Sequence, residues 1–249
     1  MNHIAASQQE SPNSAAVTGP RDAPRATRSL MRFPHVVAFA LAWCAILVVL
    51  ALELPGERFD WFFSEEGPVE ILSCGFWLLL AGACLTLPGL PRRPWQQGVA
   101  AVVAAAREAD LHKAFTEASV LKTSYYLKSA APPAEKLVAA LVTLPALVLV
   151  IYVLVRGAKL IRRTRAWRFD WGRTVMLATG LLVASKLLDR SEAVSAAWFG
   201  FTTPVMMHRF IAAFEEGVEC LLPVLFIVVL LQYQQQFTAD AGARPRGED

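Results

Sequence analysis

Cysteine and charged residues are both scarce in this sequence, and each shortage excludes a class of protein. The four cysteines lie inside apolar runs and show no CxxC spacing, so neither a disulfide framework nor a zinc knuckle is indicated. Charged residues make up only 18% of the chain, and the net charge is +3. The basic residues fall in short loops rather than in a patch interleaved with aromatic side chains, so we expect no nucleic-acid partner.

Apolar residues, by contrast, are abundant. They account for 55% of the 249 residues, and the mean hydropathy is +0.41, which is above the usual range of a soluble domain. Only helices and closed barrels can span a bilayer, and the apolar runs have helical lengths. The composition therefore predicts an all-α integral membrane protein in contact with lipid, and its Ala- and Arg-rich character suggests the cytoplasmic (inner) membrane of a bacterium.

Six stretches are candidates for transmembrane helices. A span requires about 20 mostly apolar residues, and five stretches satisfy this requirement: residues 33–54, 68–90, 136–155, 171–188 and 210–231. The sixth, residues 97–121, begins apolar and then runs into Arg107, Glu108, Asp110, His112 and Lys113 before turning apolar again. Residues 1–32 have the composition of a disordered tail, and residues 232–249 form a second polar tail.

The distribution of basic residues predicts the topology and decides the status of the sixth stretch. Residues 156–173 contain seven basic residues and one acidic residue, which is typical of a cytoplasmic loop. The N-terminal tail and the Arg92-Arg93 turn have the same bias. An even number of crossings must then separate the turn from the loop, so residues 97–121 are expected to span. The prediction is a bundle of six transmembrane helices with both termini in the cytoplasm.

Acidic residues and histidines are predicted to converge in the outer half of this bundle. A helix advances about 100° per residue, so His208, Glu215 and Glu219 fall within an arc of about 40° on one face. Glu66 with Glu70, and Glu108 with His112, are also four residues apart. Ionisable groups at this depth cost several kcal/mol unless they are paired, bound to metal or in contact with water.

The favoured interpretation of this convergence is a divalent metal site. Side chains from several helices of a bundle commonly assemble such sites, and imidazole with carboxylate suits Zn²⁺, Mn²⁺ or Fe²⁺. The predicted ligands are Glu108, His112, His208 and Glu215, with Glu219 and Glu70 as catalytic carboxylates. The predicted activity is hydrolysis of a lipid or lipid-linked substrate by a metal-activated water.

Two other classes of function remain open at this stage. Crowded carboxylates could carry protons in an ion- or proton-coupled transporter. Alternatively, buried charges could only set helix packing in a non-catalytic assembly protein. Arg107 with Asp110 and Lys186 with Asp189 are three residues apart and could neutralise each other within one helix. A second copy of the chain is a further expected partner.

One short segment resembles a known family. Asp60-Trp61, followed by Glu65, Glu66, Glu70 and Ser73, is similar to the acidic segment that precedes a span in alkaline ceramidases and related intramembrane metal hydrolases. The resemblance implies a zinc-dependent hydrolysis of a lipid amide. That family binds zinc through three histidines, including an HxxxH pair near the C-terminus, whereas here His208 is followed four residues later by Ala212.

Overall fold

The computed structural model describes residues 32–64, 66–90, 94–114, 116, 119–200 and 203–242, and within these ranges the regular structure is entirely helical. Nearly all of the predicted N-terminal tail lies outside the described residues. The helices are α1 (Phe33–Glu53), α2 (Gly56–Phe62), α3 (Pro68–Thr86), α4 (Pro94–Glu108), α5 (Thr123–Lys128), α6 (Pro133–Thr164), α7 (Asp170–Phe199) and α8 (Val205–Gly242), with a 3-10 turn at Ala166–Arg168.

Three of these helices are long and apolar enough to cross a membrane. They are α1, α3 and α6, with 21, 19 and 32 residues. Each has a proline in its first turn, where the missing N–H leaves no helical hydrogen bond unmade. These three helices support the prediction, made from composition, of an all-helical membrane protein. Helices α7 and α8 contain the predicted spans 171–188 and 210–231, and their crossing stays a prediction.

The predicted helical span over residues 97–121 is wrong in its second half. Helix α4 ends at Glu108 after 15 residues, which corresponds to about 22 Å at 1.5 Å per residue. Asp110 then adopts a positive φ of 51°, and residues 109–114 form turns. The distribution of basic residues required the chain to cross the membrane in this region. It did not indicate whether the crossing segment was helical throughout.

Helix α8 is the central element, because it packs against α1, α3 and α7. Its Val218, Leu221 and Leu225 form a core cluster with residues of α1 and α7. Gly217 permits a close approach of α1, since a Cβ at this position would lie 2.3 Å from Leu47 Cδ1. Trp43 of α1 reinforces the contact by donating from Nε1 to the Gly217 carbonyl at 2.8 Å.

Helix α6 lies at the edge of the bundle. It has no buried residues; it packs against α4 and the 3-10 turn, and its Glu135 accepts from Tyr125 of α5. An apolar helix with all faces open is expected where lipid surrounds it. At the other end of the chain, α8 continues to Gly242, so the start of the predicted polar tail, including the buried Gln232, is helical.

Candidate functional site

The centre of the candidate site is Glu219 on α8, which is only 8% exposed. Arg107 of α4 donates to its carboxylate from Nη1 at 3.1 Å and from Nη2 at 3.4 Å. Lys186 of α7 contacts the same carboxylate, with Nζ 2.5 Å from Oε1. One buried carboxylate therefore joins three helices through two cations.

Glu108 and Ser73 extend this arrangement to α3. Glu108 Oε1 accepts from Arg107 Nη1 at 2.7 Å, and its other oxygen accepts from Ser73 Oγ at 2.9 Å. Both Glu108 and Ser73 are buried. Every oxygen of the Glu108 carboxylate thus has a donor, as a buried ionised group requires.

Lys186 adds a second carboxylate of α8. Its Nζ donates to Glu215 Oε1 at 2.7 Å, so the ammonium bridges Glu215 and Glu219, one turn apart on the same helix face. The Lys186 and Arg107 side chains remain 41% and 50% exposed. The Coulomb contribution of these pairs is consequently smaller than in a fully buried site.

Glu216, between these two acids in sequence, is in a different situation. It is half-buried and lies within electrostatic range of Glu70, Glu108, Glu215 and Glu219. Among the described residues it has neither a hydrogen bond nor an ion pair, since both cations direct their bonds to other acids. We call the following seven residues the charge network: Glu70, Glu108, Glu215, Glu216, Glu219, Arg107 and Lys186. Glu70 aside, four carboxylates face two cations, which leaves a net charge of −2 if all are ionised.

Two residues predicted as metal ligands lie beside acids that are outside the network. The His208 side chain is 63% exposed, and its Nδ1 lies 2.9 Å from Glu192 Oε1 of α7. Seven residues of helix span about 10 Å along the axis, so sharing a face with Glu215 does not bring His208 to it. His112 follows the end of α4, and its Nδ1 lies 3.7 Å from Asp110. Because α4 ends at Glu108, the four-residue spacing between Glu108 and His112 does not place the two side chains on one helix face.

The predicted metal site therefore stays a prediction, with His208 and His112 beside acids other than the predicted ligands. The chemistry of the donor set also fits poorly, because Glu108 and Glu215 already accept bonds from cations. Within the part of the chain that the structure describes, no group of three or more His, Cys, Asp or Glu residues could hold a metal ion. Of the two predicted catalytic carboxylates, Glu219 is at the centre of the charge network and Glu70 is on its α3 side.

Sequence reasoning missed the role of the cations. Arg107 and Lys186 were candidates for pairs with Asp110 and Asp189 in their own helices, but both instead reach across to α8. The acidic excess on α8 was the available signal, because two isolated cations in apolar helices require acids from some neighbour. A third cation, Arg209, donates to the Leu54 carbonyl at the end of α1.

Comparison of the chain with protein-family models, with curated proteins and with solved structures returned no match. The fold and the site thus define a class only: a helical protein with membrane-length apolar helices and an acidic charge network that joins four of its helices.

Proposed function

We propose that this chain is a six-span membrane protein with both termini in the cytoplasm, and that it couples uptake of a proton or a small cation by the charge network to transport. The observation that carries this proposal is the excess of carboxylates. Each uncompensated charge among packed apolar helices costs several kcal/mol. A net charge of −2 is relieved when protons or cations bind, and exchange of such ions is what coupled transport requires.

Glu216 is the residue at which we expect this exchange. Protonation of Glu219 or Glu108 would weaken bonds to Arg107 that hold helices together. Protonation of Glu216 removes a negative charge from the same region and breaks no contact among the described residues. It can therefore change state without dismantling the bundle.

The short α4 supports a water-accessible site. Irregular backbone at membrane depth is tolerated only where protein buries it or where it lines an aqueous cavity. Helix α4 is shorter than the hydrocarbon core of about 30 Å, and its irregular continuation starts beside Glu108. Transporters commonly place ion sites at such helix interruptions.

Buried polar side chains also occur along α7 and α8 on the cytoplasmic side of the network. Ser185 and Thr174 of α7 have no exposed surface, and Gln232 of α8 is buried. Thr174 donates to the Asp170 carbonyl of its own helix, so among the described residues Ser185 is the one of these two hydroxyls that remains available to a permeating proton or cation.

The test is ion uptake by proteoliposomes containing the purified full chain, with a pH-sensitive dye inside and an imposed proton or Na⁺ gradient. Glu216→Gln is expected to abolish gradient-driven uptake while the protein remains folded. Glu57→Gln, an exposed acid of α2, is the matched control and should behave as the parent chain. Absence of uptake by the parent chain, or full uptake by Glu216→Gln, would contradict the proposal.

A lipid hydrolase is a second candidate, favoured by the Ser73–Glu108 contact. A hydroxyl 2.9 Å from a carboxylate is the arrangement in which the carboxylate can activate a nucleophile. Zn²⁺, Mn²⁺ or Fe²⁺ would require ligands that do not come together, so we derive no step through a metal. Elemental analysis of the purified protein, with hydrolysis of a lipid amide or ester by the parent chain and Ser73→Ala, tests this candidate. A metal-free and inactive parent chain would remove it.

A further inference from the structure

The corner between α6 and α7, residues 156–173, is strongly basic, and we call it the basic corner. Its one acidic residue is Asp170. Arg156 donates to the Tyr152 hydroxyl at 2.8 Å, and Arg173 donates from Nε to the Trp167 carbonyl at 3.1 Å. The other cationic side chains have no hydrogen bond or ion pair within the described ranges, so their charge is available to an external partner. All seven cationic residues of the basic corner are exposed: Arg156, Lys159, Arg162, Arg163, Arg165, Arg168 and Arg173.

The length of α6 places the basic corner beside a lipid headgroup layer. Helix α6 is one of the three helices long and apolar enough to cross a membrane. Its part from Pro133 to Val155 is about 34 Å long at 1.5 Å per residue, slightly more than the hydrocarbon core of about 30 Å. The rest of α6, from Arg156 to Thr164, extends about 13 Å further. The headgroup layer is about 5–8 Å thick and the Debye length is about 8 Å, so these cations lie within reach of lipid charge.

Two exposed aromatic side chains indicate the same depth. Tyr152 and Trp167 are 37% and 45% exposed, and amphipathic aromatic rings are enriched where a membrane meets water. Tyr152 lies one turn before Arg156, whose guanidinium is 5.6 Å from the centre of its ring. The first cation of the basic corner is thus held beside a residue type that is typical of the interface.

Arg165 keeps a cation at a position where glycine would be less strained. It ends α6 with φ 51° and ψ 48°, a left-handed conformation that glycine adopts without cost and that helix ends usually assign to it. The turn behind Arg165 is closely packed, because Ala166 has no exposed surface and a Cβ on Gly172 would lie 2.1 Å from the Ala166 carbonyl oxygen. Cations fixed on such a turn lose little conformational freedom when an anion binds.

We propose that the basic corner binds the headgroup of an anionic phospholipid. Arginine can hold two phosphate oxygens through parallel N–H bonds, and clusters of basic residues beside a membrane helix attract anionic lipids. A nucleic acid carries the same phosphate chemistry, but the basic corner ends an apolar helix, where lipid phosphates are the nearest anions. The site rests on the proposed crossing of α6 and is separate from the ion exchange, because it involves no carboxylate of the charge network.

The experiment measures binding of single lipids to the purified full chain in a non-ionic detergent by native mass spectrometry. The probes are phosphatidylglycerol and phosphatidylcholine with identical acyl chains, which differ in headgroup charge. Each cation near an anionic surface improves binding by up to about fivefold. After a reduction for screening, we expect the first phosphatidylglycerol to bind about tenfold more tightly than the first phosphatidylcholine, and we expect this preference to decrease as salt is raised.

Two triple variants with the same change in net charge locate the site. Replacing Lys159, Arg163 and Arg165 by glutamine should abolish the preference for phosphatidylglycerol. The control replaces three exposed cations outside the basic corner by glutamine and should retain the preference; these are Arg58, Lys122 and Arg190.

Arg165→Gly keeps the test decisive if the triple variant does not fold. Glycine adopts the same turn without strain, so this variant should be at least as stable as the parent chain. It removes one cation and should reduce the preference about threefold.

Equal affinity of the parent chain for the two lipids would overturn the proposal. So would an equal loss of preference in the two triple variants, which would assign the effect to net charge alone. Binding of a single-stranded RNA oligonucleotide without any preference for phosphatidylglycerol would assign the basic corner to nucleic acid instead. Ion uptake through the charge network requires none of these residues, so a parent chain without uptake that still prefers phosphatidylglycerol would contradict the proposed function alone.

Discussion

Replacing Glu219 by glutamine should destabilise the protein, because it removes the charge that two cations share. The change keeps the shape of the side chain but weakens its bonds to Arg107 and Lys186. A hydrogen bond to a charged group contributes about 1.5–3 kcal/mol. Both cations are close to half exposed and retain Glu108 and Glu215 as partners, so we reduce the expected loss for the pair of bonds to about 2 kcal/mol.

Glu216→Gln is the matched comparison, since it makes the same chemical change at a neighbouring half-buried position. Glu216 has no hydrogen bond or ion pair to lose within the described ranges, and four other carboxylates surround it. Its removal relieves repulsion, so we expect a stability between that of the parent chain and about 1 kcal/mol above it. Two isosteric substitutions separated by one turn are therefore expected to act with opposite signs.

The assay is reversible unfolding of the purified protein in mixed micelles of increasing SDS fraction, followed by circular dichroism. The expected order of unfolding free energy is Glu216→Gln, then the parent chain, then Glu219→Gln, with about 2–3 kcal/mol between the extremes. If Glu216→Gln lost as much stability as Glu219→Gln, the distinction between a bonded and an unbonded acid would be incorrect.

Two further substitutions test helix contacts outside the charge network. Gly217→Ala should cost about 1–3 kcal/mol in the same assay, because its Cβ would lie 2.3 Å from Leu47 Cδ1, whereas Gly82→Ala, with nothing within 4 Å, should be neutral or stabilising. Tyr125→Phe should cost about 1.5–3 kcal/mol, because the buried phenol donates to the Glu135 carboxylate at 2.7 Å; increased proteolysis at the start of α6 would report the same loss.

Hydropathy was sufficient to find the apolar helices of this chain. The starts of α1 and α3 agree with the predicted spans at residues 33 and 68, because a proline and a polar-to-apolar step coincide there. The end of α4 could not be found in this way. The positive φ at Asp110 is a backbone conformation that Asp tolerates, and hydropathy periodicity does not record it.

The acidic residues were predicted to converge, and the structure brings several of them together, but with partners that were not predicted. The sequence placed Glu108, Glu215 and Glu219 at one level of the bundle, and the structure does bring these three into one network. Spacing along a helix gives only neighbours in that helix, so it paired Lys186 with Asp189. The packing of α7 against α8 decides which face of α7 turns toward α8. This packing cannot be predicted from the spacing of residues in a single sequence.

Two kinds of acid in the charge network differ in their physical consequences: acids such as Glu219 that accept bonds from other helices, and Glu216, which accepts none among the described residues. Glu219 and Glu108 are held by donors from α3, α4 and α7. If α4, α7 and α8 cross the membrane as proposed, they can reach low energy there only together, because each supplies the counter-charge of another. That explains why charges persist in these helices, but it does not require more acids than cations. Glu216 is in excess of what cohesion needs, and it adds repulsion to a network that would be better balanced without it. An acid that stabilises nothing in the described structure is the residue for which the proposed ion exchange supplies a reason.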